Sequence, residues 1–299
     1  MSKLLVIGSI NLDLVFSVDQ FVSAGETIHS HKMETFMGGK GLNQAIACSR
    51  ATPNVSLAAN IGQSDAGLKT SIKNLGVDPT FIQTVSEPTG MAFIQVNAQG
   101  QNCIVLNSGA NASFTRERFV EVLSHFNPGV TLVLQNEING LAVLIGLAKA
   151  KGMLVAFNPS PFTSAILELP LSLIDTLIVN EVEGEGLSGS ADPEMILSTL
   201  TQRYPSTQII LTLGEHGVMA MISGQRLVVD ALKVNVVDTT AAGDTFLGFY
   251  LGSLAEGNSV EASLKTAVIA AGITVTRPGA SSSIPTLSEV CAYCDTHLV

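Results

Sequence analysis

Short apolar runs alternate along this chain with segments whose apolar residues recur at helical spacing, and no other feature constrains the fold as much. The runs at residues 4–7, 57–60, 132–134, 154–157, 177–179 and 209–213 lack the in-and-out alternation of a half-solvated strand. Strands buried on both faces read this way. Between them, residues 42–51, 67–75, 116–126 and 141–151 carry the helical period. The alternation predicts an α/β fold, a doubly wound and mostly parallel sheet flanked by helices. With 299 residues, 46% of them hydrophobic and 13% charged, the chain is long and apolar enough to bury such a sheet on both sides.

Two regions interrupt the rhythm. Residues 14–36 read as short strands, with Leu14-Val15-Phe16 and an alternating stretch over 26–35. Residues 90–106 read as a hairpin, 91–96 and 102–106 around a turn at Asn97-Ala98-Gln99-Gly100. We expect these two regions to form a small β-sheet lid over an α/β body made of residues 1–13, 37–89 and 107–299. Edge strands of the main sheet are the alternative. Ligands of doubly wound sheets bind beyond the C-terminal ends of the strands. Asn11, Asn158, Asn180, Glu181 and Glu183 fall at such ends.

Two stretches carry chemistry. In Val237-Asp238-Thr239-Thr240-Ala241-Ala242-Gly243-Asp244-Thr245-Phe246 a polar turn of small residues runs into an apolar helix. Free backbone N–H groups at a helix start attract phosphate oxygens, and small side chains let them approach. Asp244, one residue beyond the glycine, is placed to accept a proton from an attacking hydroxyl. A lone aspartate there could also serve only the helix dipole. The second stretch, Gly38-Gly39-Lys40-Gly41-Leu42-Asn43-Gln44-Ala45, enters a predicted helix. It has neither the Walker A spacing nor the dinucleotide Gly-x-Gly-x-x-Gly.

Residues 8–13, the 38–43 stretch and residues 238–244 resemble, in order and separation, the signatures of the ribokinase family, the PfkB-type carbohydrate kinases. Asn158-Pro159-Ser160-Pro161, Asn180-Glu181-Val182-Glu183, Leu213-Gly214-Glu215-His216-Gly217 and Thr276-Arg277-Pro278-Gly279-Ala280 extend the likeness over the whole chain. Leu247, His216 and Pro278 depart from the residues common in that family. The resemblance implies an ATP-dependent sugar kinase with Asp244 as catalytic base and the amides of Ala241, Ala242 and Gly243 as an anion hole. It implies sugar contacts from Asn11, Asp13, Gly39, Lys40, Asn43, Glu137 and Asp244. Nucleotide contacts would come from Asn180, Thr212, Gly214, Gly217 and Gly243. Glu183 would act on Mg²⁺ through water, and Asp238, Thr240, Thr274, Arg277, Gly279 and Ser283 would surround a monovalent cation, K⁺. The acceptor is expected to be a primary hydroxyl, O5 of D-ribose giving ribose 5-phosphate. The alternatives are deoxyribose, another furanose or a nucleoside, or a catalytically silent sugar- or nucleotide-binding protein.

Charge and cysteines narrow the remaining classes. Fifteen basic against twenty-five acidic residues give a net charge of −10 with no basic run. That argues against nucleic-acid and anionic-membrane partners. The four cysteines include one close pair, Cys291 and Cys294, without a second pair to complete a zinc site, so reduced thiols are expected. His29 and His31 lack a third ligand nearby in sequence. The apolar run at residues 4–7 is too short for a signal or membrane segment, so a cytoplasmic protein is expected. Exposed lid strands predict a homodimer through the lid.

Overall fold

The structure, a computed structural model, describes residues 4–297; residues 1–3 and 298–299 of the expected α/β body lie outside them. The chain begins with β1 (Leu4–Ile7), β2 (Asn11–Ser17), β3 (Lys32–Gly38), α1 (Lys40–Ala51), β4 (Val55–Gly62), α2 (Leu68–Asn74) and β5 (Asp78–Val85). A hairpin of β6 (Gly90–Val96) and β7 (Asn102–Asn107) precedes α3 (Arg116–Ser124), β8 (Thr131–Gln135), α4 (Leu141–Ala150) and β9 (Leu154–Asn158). Next come β10 (Thr176–Asn180), α5 (Glu181–Ser188), α6 (Pro193–Arg203) and β11 (Gln208–Thr212). The hairpin β12 (Val218–Ile222) and β13 (Gln225–Val229) leads to α7 (Ala242–Ala255), α8 (Val260–Thr274) and α9 (Leu287–His297).

Nine strands form one sheet in the order β13-β12-β11-β10-β9-β8-β1-β4-β5. The six apolar runs seen in the sequence are its six central neighbours, β11 to β4, all paired in parallel. Their unbroken hydrophobicity has a visible cause. On β1, Leu4 and Val6 enter the core formed with α1, α7 and α8, while Leu5 and Ile7 enter the core on the opposite face with α3 and α4. Helices on both faces leave no strand side for water.

β12 pairs antiparallel with both of its neighbours. This edge hairpin is absent from the sequence reading, although its turn is marked. Ser223 and Gly224 both have positive φ, 51° and 78°, the geometry of a two-residue hairpin loop.

A separate four-stranded sheet has the order β3-β2-β6-β7, so the two interrupting regions are not edge strands of the main sheet. One expectation needs correction. The alternating stretch at 26–35 is strand only from Lys32 onward. Upstream, Glu26 folds into a local turn: its N–H donates to Ser23 O at 3.0 Å, and its carboxylate accepts from Ser23 N at 2.9 Å and Gln20 Nε2 at 3.0 Å. These bonds take the backbone out of the ladder despite the alternating sequence.

One packing contact matters most for the site. A Cβ on Gly248 would lie 2.3 Å from Ala47 Cβ, and one on Gly252 would lie 2.5 Å from Ala51 Cβ. Asp244, Gly248 and Gly252 share one face of α7 by their spacing of four. The small residues let α7 press against α1, and that contact carries Asp244 to Asn43 and Gln44.

Candidate active site

The polar strand ends gather along one edge of the main sheet. Gln135 ends β8 and stands opposite Asn158 at the end of β9; Asn180 ends β10 opposite Thr212 of β11. Above this edge lies a cavity of about 450 Å³ that continues to the small sheet. Beside it opens a cleft of about 1710 Å³.

The start of α7 faces the cavity. Asp244 is 6% exposed; its Oδ1 accepts from Gln44 Nε2 at 2.9 Å and its Oδ2 from Asn43 Nδ2 at 3.2 Å. Ala241 adopts the left-handed conformation, φ 61° and ψ 7°, where an alanine is strained. No side chain caps this helix, whereas α3, α5, α6 and α8 are capped by Thr115, Asn180, Asp192 and Ser259. The Ala242 N–H turns back to Thr239 O at 3.2 Å. A Cβ added to Gly243 would meet no protein atom within 4 Å. Packing therefore does not demand a glycine there, and the open space belongs to the cavity. An uncapped helix start beside open space favours an anion.

The start of α1, also at this cavity, is treated differently. At α1, Lys40 N donates to Glu137 Oε2 at 3.0 Å, Gly41 N to Ser9 Oγ at 3.1 Å and Leu42 N to Ser9 O at 2.9 Å; Ser9 Oγ in turn donates to Glu137. Its amides are already satisfied, so it is no competing anion site. Gly39, at φ 93°, supplies the backbone turn before α1. Lys40 lines the same cavity. Burial pulls its pKa down, but the carboxylates of Asp244, Glu137 and Glu183 outweigh that and hold it above the ordinary value.

Asn11 and Asp13 approach from β2. Asn11 Oδ1 accepts from Asn111 Nδ2 at 2.8 Å, fixing the amide. The Asp13 carboxylate lies over Gly38, where a Cβ would sit 2.0 Å from Oδ2. Burial first, and the Glu137 charge second, push Asp13 up to about 6. Asn43 Oδ1 is buried without a hydrogen-bond partner.

The cleft is lined by Asn180, Thr212, Gly214, Gly217 and Gly243. Gly217 has a second reason to be glycine: at φ 88°, its Cβ would lie 2.1 Å from Val229 O. The residue thus makes room for the chain beyond β13 as well as for a ligand. Glu183, 3% exposed, forms a capping box with Asn180 at the start of α5. Its carboxylate accepts from Asn180 N at 3.0 Å, Asn180 Nδ2 at 3.2 Å and Asn158 Nδ2 at 3.2 Å.

The expected cation residues separate into two sets. Asp238 accepts from Thr240 Oγ1 at 2.6 Å, Thr240 N at 2.9 Å and Gly279 N at 2.9 Å, which binds the two loops together. Burial raises its pKa, but these bonds prevail and lower it. Thr274 is spent on Thr245 and Ala270 O, Ser283 on Ala280 O, and Arg277 on Glu289. Of the six, Thr240 alone lines the cavity. Among the described residues no three His, Cys, Asp or Glu side chains cluster as a metal site. His31 pairs with Asp19 at 3.0 Å, and Cys291 is exposed.

The sequence matches the family model described as pfkB family carbohydrate kinase over residues 1–287. The chain belongs to that family. The kinase is 37% identical over 299 residues to a ribokinase of Haemophilus influenzae, covering 97% of both chains. It is 32% identical over 301 residues to a deoxyribokinase of Salmonella typhi, covering 96% of this chain and 97% of that one. A ribokinase of Arabidopsis thaliana solved with ribose and ATP superimposes with a TM-score of 0.84 at 28% identity, covering 98% of each chain. The kinase is thus an ATP-dependent sugar phosphotransferase on an α/β fold with a small separate sheet.

The site also contains residues to which the sequence assigned no role: Ser9 and Gln44, inside the motifs, and Asn111 and Gln135, outside them. Gln44 left a signal, because it interrupts the apolar stripe of Ala47, Cys48 and Ala51 on α1. Gln135 likewise closes an apolar strand run.

Proposed function

We propose that the kinase transfers the γ-phosphoryl group of ATP to O5 of D-ribose, giving ribose 5-phosphate and ADP. The observation that carries this reading is Asp244: a buried carboxylate in the first turn of an uncapped helix, inside a cavity of a size for one monosaccharide. Asp244 takes the proton of the attacking hydroxyl as oxygen bonds to phosphorus and the bond to ADP breaks. The amides of Ala241, Ala242 and Gly243 and the Lys40 ammonium receive the moving charge. Ala242 N would first leave Thr239 O. Asn11, Asp13, Asn43 and Glu137 supply acceptors for ring hydroxyls. Triphosphate and adenosine occupy the cleft along Asn180, Thr212, Gly214 and Gly217.

Mg²⁺ fits as the counter-ion of the nucleotide rather than as a resident metal, since no cluster of three metal-ligating side chains exists among the described residues. It would neutralise phosphate charge. Glu183, with its oxygens already holding three N–H groups, suits contact through metal-bound water. A monovalent cation would find carbonyls, not side chains, in the loops joined by Asp238 and Gly279. Replacing Na⁺ by K⁺ at fixed ionic strength is expected to raise activity; equal rates would make the loops purely structural.

The small sheet, residues 14–36 and 90–106 with their flanks, acts in this reading as a lid that excludes water. Its apolar residues Ile104 and Leu106 line the cavity. The test is ADP release measured with ribose, 2-deoxyribose, other pentoses, hexoses and nucleosides. Ribose is expected to give the highest kcat/KM. Preference for deoxyribose, the substrate in the name of the Salmonella typhi relative, would overturn the sugar assignment and leave the kinase. No sugar-dependent ADP release would favour a silent binding protein.

A further inference from the structure

Gln44 lies outside the cavity and the cleft, is 0% exposed, and is nevertheless hydrogen-bonded at every polar atom. Its Nε2 donates to Asp244 Oδ1 at 2.9 Å and to Asn158 Oδ1 at 3.3 Å; its Oε1 accepts from Gln135 Nε2 at 2.7 Å. Asn158 continues the chain, donating from Nδ2 to Glu183 Oε2 at 3.2 Å and to Ile178 O at 3.0 Å. The buried amide of Gln44 and the half-buried amide of Asn158 thus run without a break from the carboxylate at α7 to the carboxylate at α5.

The direction of every amide in this chain is determined. Turning Gln44 over would set its oxygen against the Asp244 carboxylate and its NH₂ against the NH₂ of Gln135, two repulsions in place of two bonds. Gln135 Oε1 has no hydrogen-bond partner and fits only because residue 8 is glycine: a Cβ on Gly8 would lie 2.1 Å from it. Gly8 belongs to the first motif, which therefore serves this contact as well as the turn after β1.

We propose that Gln44 is a positioning residue for phosphoryl transfer. Its amide holds the Asp244 carboxylate in the orientation that meets the acceptor hydroxyl, and through Asn158 it links that orientation to Glu183 at the triphosphate end. The proposal rests on Asp244 as base. With Asn43 on Oδ2 and Gln44 on Oδ1, each carboxylate oxygen keeps a lone pair for the incoming proton while rotation about the side chain is blocked. Misplacement of a reacting group by about 1 Å can cost on the order of 10²-fold in rate, so loss of one such bond is a kinetic event before it is a binding one.

The experiment compares Gln44→Met, which keeps the volume and removes the amide, and Gln44→Glu, which keeps the acceptor for Gln135 and removes the donor. Both are measured in wild-type and Asp244→Asn backgrounds by ADP release. Either variant is expected to lower kcat by roughly 10–100-fold, with KM for sugar and nucleotide changed by less than about threefold. In the Asp244→Asn background the same change is expected to cost less than about twofold, because residues acting as a unit are not additive. A wild-type kcat in a folded Gln44 variant would overturn the proposal. So would an equal loss in both backgrounds, which marks a purely structural glutamine. If Gln44→Met does not fold, Gln44→Glu decides alone by the same two comparisons. A near-normal kcat for Asp244→Asn by itself would instead refute the assignment of the base.

Discussion

Two aspartates share one cavity and are prepared for different work by their neighbours. Asp244 receives side-chain amide donors on both oxygens, which fixes its direction. Asp244→Asn is expected to retain the fold and ATP binding while kcat falls by about 10²–10⁴-fold, the range for a positioned acid–base group; steady-state kinetics and a melting curve check this. Asp13 is desolvated and faces Glu137, which puts its pKa near 6 instead of 3.8. Below that pH it is protonated and loses acceptor capacity, so KM for the sugar is expected to rise as pH falls through about 6. Asp13→Asn should abolish that limb. The stability sign runs opposite to function. An acid whose folded pKa lies above its unfolded one holds its proton longer when folded, so its contribution is complete below 3.8 and lost as pH rises through about 6. Thermal melts at neutral pH should therefore find Asp13→Asn more stable than wild type and poorer at using sugar, a common exchange at binding sites.

At the scale of elements, the decisive contact is between α1 and α7. α7 has no strongly one-sided pattern, because it is buried over residues 244–253. The contact depends on shape: Gly248 and Gly252 admit Ala47 and Ala51, and the two helix starts then converge on the cavity. Gly248→Val is expected to destabilise by about 1–3 kcal/mol through overpacking. Separation of Asp244 from Gln44 should also depress kcat in the protein that still folds. Denaturant unfolding and kinetics on the same sample check both halves; an unchanged unfolding midpoint would show that the helices are not in this contact. The starts of α1 and α7 also differ at the cavity: Ser9 and Glu137 consume the amides of α1, while no side chain caps α7.

At the scale of the molecule, the strand ends of the large sheet and one face of the small sheet line the same cavity. The small sheet carries exposed apolar side chains on both faces: Phe36, Ile104 and Leu106 on the face toward the cavity, and Met33, Phe93 and Val105 on the opposite face. β7 is exposed along its length and is an edge strand. Clustered exposed apolar residues on a sheet invite a partner. A homodimer through this sheet is our expectation, measured as mass by light scattering at micromolar concentration. Val105→Lys should shift the mass to that of one chain; a wild-type monomer would remove the idea. Among the described residues no helix is long and apolar enough to cross a membrane.

What the sequence determined by itself was everything written in local periodicity and short motifs. Strands buried on both faces must be continuously apolar, so β1, β4 and β8–β11 were legible as six runs, and α1–α4 as four helical periods. The strings around Gly38 and Asp244 announced a family because they pack turn, glycine and charged residue into a few positions. The stretch at 26–31 misled, since the Glu26 turn uses side-chain bonds that an alternating pattern does not display. Only the tertiary structure decided which polar groups face each other. Asn43 and Gln44 meet Asp244 across about two hundred residues of chain, because two glycines on α7 let it settle on α1. Gln135 and Asn158 meet because β8 and β9 are neighbours in register. Hydrogen bonds between distant side chains leave no period in a sequence; the sheet order and the helix contact create them.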